Sequence, residues 1–304
     1  SLITALGFGL TMGVHTRIDE TMETIVAGAR IGNVYVNRNQ IGAVVGVQPF
    51  GGEGLSGTGP KAGGPHYVSM LTKRSPCDGD GQILINDIPM DPSVDLAIVK
   101  LAGHYQEWSN RKDKVALFEE AAAISKGDAQ HDAQHGAHDT LAKAAALYKE
   151  HFEDSLDLPG PTGEANSLRL RGRGFVLCLG GAPGAFVDQA AMALAAGNFI
   201  IGDFDRISPL QDALGRVGVD VAIDVDLSQR VPEELLFNKR LAAVAFDGRD
   251  ESVTALKTIL ARRAGAIIPI LSAADAPWRY AVERTLTINT TAAGGDVRLL
   301  SLPE

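Results

Sequence analysis

The second half of the chain alternates short apolar runs with amphipathic stretches. Apolar runs with the composition of buried strands occupy residues 174–180, 197–203, 220–223, 241–246 and 266–270. Helical patterns lie between them, at residues 186–196 and 251–264, and earlier at 94–102 and 110–152. Strands that alternate with helices predict an α/β fold with a parallel, doubly wound sheet.

The first part of the chain combines a helical pattern with a strand pattern. Residues 17–30 place their apolar side chains on one helix face, and Thr16 is a candidate N-cap. That face consists of Ile18, Met22, Ile25, Val26 and Ala29. Residues 32–37 alternate apolar and polar positions, which predicts a strand.

A glycine-rich passage follows this strand, from residue 42 to residue 59. Glycine at this density lets backbone N–H groups approach a ligand and lets the chain adopt positive φ angles. Such a loop can bind a phosphate, but the Gly-Lys-Ser/Thr ending of a P-loop is absent. On residue types alone, a surface crossover without a ligand is the favoured interpretation.

Particular residues in this passage resemble the C-terminal end of an aldehyde dehydrogenase catalytic domain. They are Gly32-Asn33-Val34-Tyr35-Val36-Asn37, Gly42-Ala43-Val44-Val45-Gly46, Gln48-Pro49-Phe50-Gly51-Gly52 and Ser56-Gly57-Thr58-Gly59. Within that superfamily the stretch is most similar to glutamate-γ-semialdehyde dehydrogenases, and above all to the bifunctional proline utilisation A family. The resemblance extends without a gap from about residue 6 to residue 71.

The resemblance implies a substrate site in the glycine-rich loop. In the family, backbone N–H groups of this loop bind the substrate carboxylate, and the corresponding donors here belong to Gly42 and Ala43. Two adjacent N–H groups on small residues form a nest for an anion. By the same resemblance, Phe50 packs on the aliphatic part of the aldehyde. The implied substrate is glutamate semialdehyde, or pyrroline-5-carboxylate in its cyclic form.

The parallel-sheet unit resembles the Rossmann-like cofactor domain of an aldehyde dehydrogenase, in a degenerate form. Residues 173–209 carry this resemblance and keep Gly197-Asn198, but Asp203-Phe204 stand where the family has Lys-Pro. Gly181-Ala182-Pro183 replace the family's Pro-Trp-Asn turn, and the G-x-G-x-x-G fingerprint is absent. We therefore expect a copy that keeps the fold and binds no nicotinamide cofactor.

Residues 283–295 resemble the C-terminal motif of the long proline utilisation A proteins. Residues 285–289 predict a strand with Leu286 and Ile288 on one face and Thr285 and Thr287 on the other. Residues 292–295 predict a close turn. In the family, the domain that ends in this motif covers the dehydrogenase site and supports assembly.

The catalytic pair of an aldehyde dehydrogenase, a cysteine nucleophile and a glutamate base, is not expected in this chain. Cys77 lies beside Asp78, which would raise its pKa, and Cys178 lies in an apolar strand, where thiols are usually inert. In the family, both catalytic residues precede the glycine-rich loop.

The resemblance implies that NAD binds mainly to that upstream part, and FAD only to an upstream proline dehydrogenase domain. Because the chain does not begin with Met, we expect it to be a piece of a longer protein.

Three histidines in the helical middle region have a spacing compatible with a metal site. His131, His135 and His138 follow the pattern i, i+4, i+7, which places them on one helix face. Gly127 and Gly136 weaken any helix here, and three ligands on one straight helix rarely complete a tetrahedral site. A solvated helix face or loop without metal is the favoured interpretation.

The composition of the chain limits the classes of molecule that it is expected to bind. The chain has 304 residues, 45% of them apolar, and a net charge of −9, which argues against nucleic acid or an anionic membrane. The two cysteines match no metal or redox spacing, so a reducing cytoplasm is the simplest compartment. Peripheral membrane attachment through an upstream part is an alternative. The expected partners are upstream dehydrogenase domains of the same protein, with a homo-oligomer as an open alternative.

We divide the chain into three segments. Residues 1–75 are the end of an aldehyde dehydrogenase catalytic domain, residues 76–157 a linker and helical region, and residues 158–304 a degenerate Rossmann-like covering domain. In one hypothesis, the chain belongs to a bifunctional proline-to-glutamate enzyme and supplies the carboxylate anchor and a lid. In the other, it is a non-catalytic scaffold or lid module without a ligand of its own.

Overall fold

The computed structural model describes residues 2–57, 59–72, 79–87, 89–127, 136–227 and 230–291. Its strands are β1 (Phe8–Gly9), β2 (Thr11–Val14), β3 (Asn33–Val36), β4 (Glu53–Gly54), β5 (Ile85–Asn86), β6 (Leu156–Leu158), β7 (Glu164–Gly172), β8 (Phe175–Cys178), β9 (Phe199–Asp203), β10 (Ala222–Val225), β11 (Val231–Pro232), β12 (Leu241–Ala245), β13 (Ile270–Leu271) and β14 (Ala281–Asn289). Its α-helices are α1 (Leu2–Ala5), α2 (Asp19–Gly28), α3 (Pro92–Ala102), α4 (Tyr105–Asn110), α5 (Lys114–Gly127), α6 (Ala137–His151), α7 (Ala185–Ala195), α8 (Phe204–Arg216), α9 (Glu233–Phe237) and α10 (Asp250–Leu260). Short 3-10 helices occupy Val68–Leu71 and Pro277–Tyr280.

One five-stranded sheet is parallel throughout, with the order β10-β9-β8-β12-β13. Numbered along the chain, its strands have the order 3-2-1-4-5, as in doubly wound dinucleotide-binding folds. The side chains of β8 are buried throughout, as expected for a parallel sheet with helices on both faces. The predicted fold class is thus confirmed.

The other five-stranded sheet is mixed, with the order β2-β3-β14-β7-β6. Its middle strand, β14, pairs in parallel with β3 and antiparallel with β7. Strands from near the two ends of the described chain therefore share one sheet. The division into three segments stays a prediction, and the mixed sheet joins strands from its first and third segments.

A small hydrophobic core lies on one face of the mixed sheet, between β2, β3 and α2. Leu286 and Ile288 of β14 pack against it. Thr285 and Thr287 are fully buried and donate instead to Pro49 O and Asn166 Oδ1, both at 2.7 Å. The two faces of β14 predicted from sequence are confirmed.

The helical middle region packs against the parallel-sheet unit and shares its hydrophobic core. Trp108 Nε1 donates to Asn198 O at 3.2 Å, and Lys143 pairs with Asp188 at 2.6 Å. Helix α6 begins after Gly136, whose φ of 65° is left-handed. Residues 110–152 therefore contain separate helices, one of the two arrangements predicted.

Arginines of the mixed sheet hold the C-terminal end of α2. Arg284 donates to the carbonyl oxygens of Val26 at 2.5 Å, Ile31 at 3.2 Å and Ala29, and Arg171 donates to Ala29 O at 3.4 Å. Carbonyls at a helix end lack intrahelical partners, and a cation there complements the helix dipole. Burial lowers the pKa of Arg284 to about 9.

Residues 266–270 do not form the predicted strand. Only Ile270 of that run is extended, in the two-residue strand β13. Pro269 has no N–H to donate to a ladder, and Ile267 is 90% exposed. The apolar run was therefore a misleading signal.

Thr16 does not cap α2 as predicted. Its Oγ1 accepts from Ile18 N at 3.1 Å, whereas α2 begins at Asp19 with Ile18 as an N-cap that makes no side-chain bond. Ile18 and Ile25 are also exposed, so the predicted apolar face is only partly buried. Its members that contact the core are Met22, Val26 and Ala29.

We expect Arg284→Leu to destabilise the chain by about 3–5 kcal/mol, because it removes the buried cation shared by the Glu53 carboxylate and the carbonyls of Val26, Ala29 and Ile31, and the remaining contacts of Arg30 and Arg171 replace it only in part. Urea unfolding measures the change. Arg284→Lys should lose less, because it keeps one charge. Arg240→Leu, at an exposed arginine, should change the free energy of unfolding by less than about 0.5 kcal/mol. Similar small effects for all three variants would contradict this role of Arg284.

Candidate functional site in the loop after β3

The loop after β3 begins at a residue with a left-handed backbone. Asn37 has a φ of 56°. Its side chain holds this conformation, because Oδ1 accepts from Thr16 N at 3.0 Å and Nδ2 donates to Thr16 O at 2.9 Å. Asn289 of β14 donates to Asn37 O at 3.2 Å. The start of the loop is thus fixed by neighbours on both sides of β3.

Gly42 and Ala43 lie in the outer part of the loop. Gly42 is exposed and has a φ of 81°, a conformation that favours glycine. The flanking N–H groups are bonded within the loop, Ile41 N to Asn39 Oδ1 at 3.2 Å and Val44 N to Gln48 Oε1 at 3.0 Å. Among the described residues, no acceptor is bonded to the N–H of Gly42 or Ala43. Two adjacent N–H groups of this kind can form a nest for an anion, and binding of an anion by Gly42 and Ala43 stays a prediction.

The segment from Gln48 to Phe50, here called the returning stem of the loop, is held through the carbonyl oxygen of Pro49. Pro49 O accepts from Asn33 Nδ2 at 2.9 Å and from Thr285 Oγ1 at 2.7 Å. Phe50 then pairs with Ala62 through backbone hydrogen bonds of 3.0 and 2.9 Å. Side chains of β3 and β14 thus hold the stem that leads into Phe50.

Phe50 is 37% exposed and is one of several exposed apolar residues of the loop. Ile41, Val44 and Val45 are more exposed than Phe50. Gly42 and Ala43 lie in the outer part of the same loop, and Phe50 in its returning stem. Their roles in substrate binding stay predictions.

A buried ionic network lies next to the returning stem. Lys61 is 2% exposed, and its Nζ donates to Asn33 Oδ1 at 2.8 Å and to Gly51 O. Glu283 of β14 accepts from Lys61 N at 2.6 Å and contacts His66 Nδ1 at 2.7 Å. Burial lowers the pKa of Lys61 to about 7, against the attraction of Glu283.

Sequence reasoning missed the side chains that join the two stems of the loop. Glu164, at the start of β7, accepts from both Arg38 and Gln48. These partners lie 126 and 116 positions from Glu164, so no local pattern connects them. Opposite charge at Arg38 and Glu164 was the one available signal, and many other pairs share it.

The glycine turn after β8 is covered by the chain itself. Gly81 N donates to Gly181 O at 2.8 Å, and Arg249 N donates to Gly81 O at 3.1 Å. Gly181 has a φ of 106°, and a Cβ there would lie 2.1 Å from Asp247 O. Residues 79–87 thus lie against the carboxyl ends of β8 and β12, where this fold places a dinucleotide.

A pocket of about 300 Å³ lies at this edge of the sheet, and residues 82–84 form part of its wall. Asp203 and Arg206 also line it, together with the rings of Phe186 and Phe246. Asp203 Oδ1 accepts from Leu227 N at 2.8 Å. The pocket is at the small end of the range for ligand sites.

Cys178 is 1% exposed, and burial raises the pKa of its thiol far above the usual range, which disfavours the nucleophilic thiolate. His138 Nδ1 contacts Ala122 O at 2.9 Å.

The structure does not describe several of the positions singled out from the sequence, namely Cys77, His131, His135 and residues 292–295. Within the described ranges, no group of three or more His, Cys, Asp or Glu side chains could hold a metal. None of the helices described is long and apolar enough to cross a bilayer.

Comparisons with known proteins find similarity to aldehyde dehydrogenases and to PutA proteins. Residues 4–75 match the aldehyde dehydrogenase family. The bifunctional protein PutA of Escherichia coli is 35% identical over 312 residues, which cover 99% of this chain and 21% of PutA. The 1-pyrroline-5-carboxylate dehydrogenase 1 of Halalkalibacterium halodurans is 48% identical over 63 residues, which cover 21% of this chain and 12% of that enzyme.

A solved structure of proline utilization A from Corynebacterium freiburgense aligns with 95% of this chain and 24% of its own, at 19% identity and a TM-score of 0.45. The chain spans about a fifth of the length of the curated PutA relatives that it matches.

Lys61 is expected to make stability depend on pH. A lysine in the unfolded chain has a pKa near 10.4, whereas burial lowers that of Lys61 to about 7. Between these values the unfolded chain binds the extra proton, so the free energy of unfolding rises with pH, by up to about 1.4 kcal/mol per unit. Below about pH 7 the Lys61 amine is charged in both the folded and the unfolded chain, and above about pH 10.4 it is neutral in both. Outside this range its contribution to the free energy of unfolding no longer changes with pH.

Lys61→Met should remove this rise. We expect the stability difference between the original chain and the variant to shift in favour of the original chain as the pH increases above 7, in urea unfolding. Lys114, whose pKa burial also lowers to about 7, is present in both proteins, so its contribution cancels. A difference that stays constant with pH would contradict the assignment to Lys61.

Proposed function

We propose that the chain is part of an oxidoreductase of proline catabolism, because it is similar to PutA along nearly its whole length and its first part matches the aldehyde dehydrogenase family. The proposed reaction is the NAD-dependent oxidation of glutamate-γ-semialdehyde, the open form of 1-pyrroline-5-carboxylate, to glutamate. NAD accepts the hydride and water supplies the new carboxylate oxygen. The nucleophile and the base belong to an upstream part of the longer protein, and FAD to its proline dehydrogenase domain.

In this proposal, the role of the chain begins with the substrate's own carboxylate, which stays unchanged in the reaction. The observation that carries it is the pair of N–H groups at Gly42 and Ala43, which lie between two bonded neighbours. A carboxylate accepting from both would be held by charge-assisted hydrogen bonds. Phe50, exposed in the returning stem, would pack on the methylene groups between carboxylate and aldehyde.

The second role is support of this loop by the covering domain. β14 supplies Thr285 to Pro49 O and Asn289 to Asn37 O, so it contacts both stems. Because it also forms the ladder with β3, the C-terminal part of the chain would act on the aldehyde site through packing and not through catalytic groups. The cytoplasm stays the expected compartment.

The parallel-sheet unit is proposed to bind no nicotinamide cofactor. Residues 79–87 lie against its glycine turn, and Asp203 stands at the end of β9, where a carboxylate would repel a nucleotide phosphate. NAD would therefore bind mainly to upstream residues of the longer protein.

We predict that Ala43→Pro, which removes one N–H donor, raises the Michaelis constant for the semialdehyde in the full-length enzyme. Loss of one hydrogen bond to a charged group costs about 1.5–3 kcal/mol, which corresponds to a rise of roughly 10- to 150-fold. Ala43→Ser keeps the donor and is the matched control. An unchanged constant in Ala43→Pro would reject the anchor and favour a lid module without a ligand of its own.

We predict that calorimetric titration of the 304-residue chain with NAD gives no saturable heat at millimolar concentrations. The full-length enzyme under the same conditions is the positive control. A micromolar dissociation constant for the chain alone would show that its parallel-sheet unit kept a cofactor site.

A further inference from the structure

One carboxylate connects the two stems of the loop that carries Gly42 and Ala43. Glu164 accepts through Oε2 from Arg38 Nη1, just after β3, and through Oε1 from Gln48 Nε2, on the returning stem. It stands at the first position of β7, in the C-terminal part of the fold. The 38–48 segment is therefore closed by a side chain from elsewhere in the sequence.

Glu164, together with a longer contact of Gln48 Nε2 to Asn166 Oδ1 at 3.4 Å, sets the orientation of the Gln48 amide. An amide group has a donor end and an acceptor end, and the carboxylate can only accept from it. Nε2 therefore faces Glu164, and Oε1 faces Val44 N, from which it accepts at 3.0 Å. Reversal of the amide would place two acceptors against each other and remove the bond to Val44.

The hydrogen bonds from Val44 N to Gln48 and from Gln48 to Glu164 form a relay that is largely buried. Gln48 is 2% exposed, and the side chains of Glu164 and Arg38 are 14% and 19% exposed. Asn166 donates to Glu164 Oε1 at 3.0 Å, so the carboxylate has a further polar partner. Its charge is paired with Arg38, which fits a holding role better than direct contact with an anionic substrate.

We propose that Glu164 is a positioning residue for the carboxylate anchor. It holds the Gln48 amide, which fixes Val44 N and so orients the N–H groups of the preceding Gly42 and Ala43 toward a bound carboxylate. This inference rests on the proposed semialdehyde dehydrogenase function. It makes a residue of the C-terminal part a determinant of substrate affinity, without a role in the chemical step.

The test measures kcat and KM of the full-length enzyme with glutamate semialdehyde and with propanal, an aldehyde that lacks a carboxylate. We expect Glu164→Ala to raise KM for the semialdehyde about tenfold and to change kcat less than twofold, as when binding common to ground and transition states is lost. Both constants for propanal should change less than twofold. Asp157→Ala, at an exposed acid on the neighbouring strand β6, is the matched control and should change neither.

Two further variants test the relay itself. Gln48→Ala should reproduce the rise in KM, and the double variant should be no worse than either single one, since the two residues act in series. Glu164→Gln, which keeps the shape but loses the charge, should give a smaller rise in the same direction. It also serves if Glu164→Ala does not fold.

The outcomes separate the inference from the function on which it rests. If Ala43→Pro raises KM for the semialdehyde but the Glu164 variants do not, the inference is overturned and the anchor stands. A parallel loss of activity on propanal, or additive effects of Glu164 and Gln48, would also overturn it. If Ala43→Pro leaves KM unchanged as well, the anchor itself fails.

Discussion

The position of β14 between β3 and β7 is the constraint on which the rest of the structure depends. Each extended strand has a row of N–H and C=O groups that must be bonded once they are buried. Without β14, both β3 and β7 would expose such a row inside the fold. The buried Thr285 and Thr287 then gain partners in the loop stem and in β7, and Leu286 and Ile288 complete the small core. One strand thus fixes a sheet, a core and a loop together.

The same strand introduces buried charge, which is tolerated because every charged group meets polar atoms. Arg284 lies among the carbonyls at the end of α2, and Glu283 contacts Lys61 N and His66. Removing ions from water costs several kcal/mol each, so partners are needed for the fold to remain stable. Ionic contacts with fixed directions, unlike apolar packing, depend on the register of the strand. They align the segment from residue 49 to residue 66 with β14.

Sequence reasoning predicted what depends on local pattern. The strand-helix alternation of residues 174–246 gave the parallel sheet, because buried strands of that kind are apolar throughout. It failed at residues 266–270, where Pro269 counted as part of an apolar run although it cannot donate to a ladder. It also gave no sign that residues 281–289 pair with residues 33–36, since no local signal encodes contacts between positions so distant. Gly42, Ala43 and Phe50 came from family resemblance, whereas Glu164 and Gln48 needed the three-dimensional structure.

The parallel-sheet unit combines the strand order of a doubly wound fold with a glycine turn that contacts another part of the chain. Its strand order is that of dinucleotide-binding folds, and at the turn after β8 a backbone hydrogen bond joins Gly81 to Gly181. A Cβ on Gly81 would lie 2.5 Å from the Cα of Gly181, so the contact also depends on glycine at position 81. Residues 79–87 belong to the connection from the loop region to the helices. Close packing of this kind is by itself a reason for glycine at both positions, so glycine content alone is poor evidence for a cofactor in such a unit.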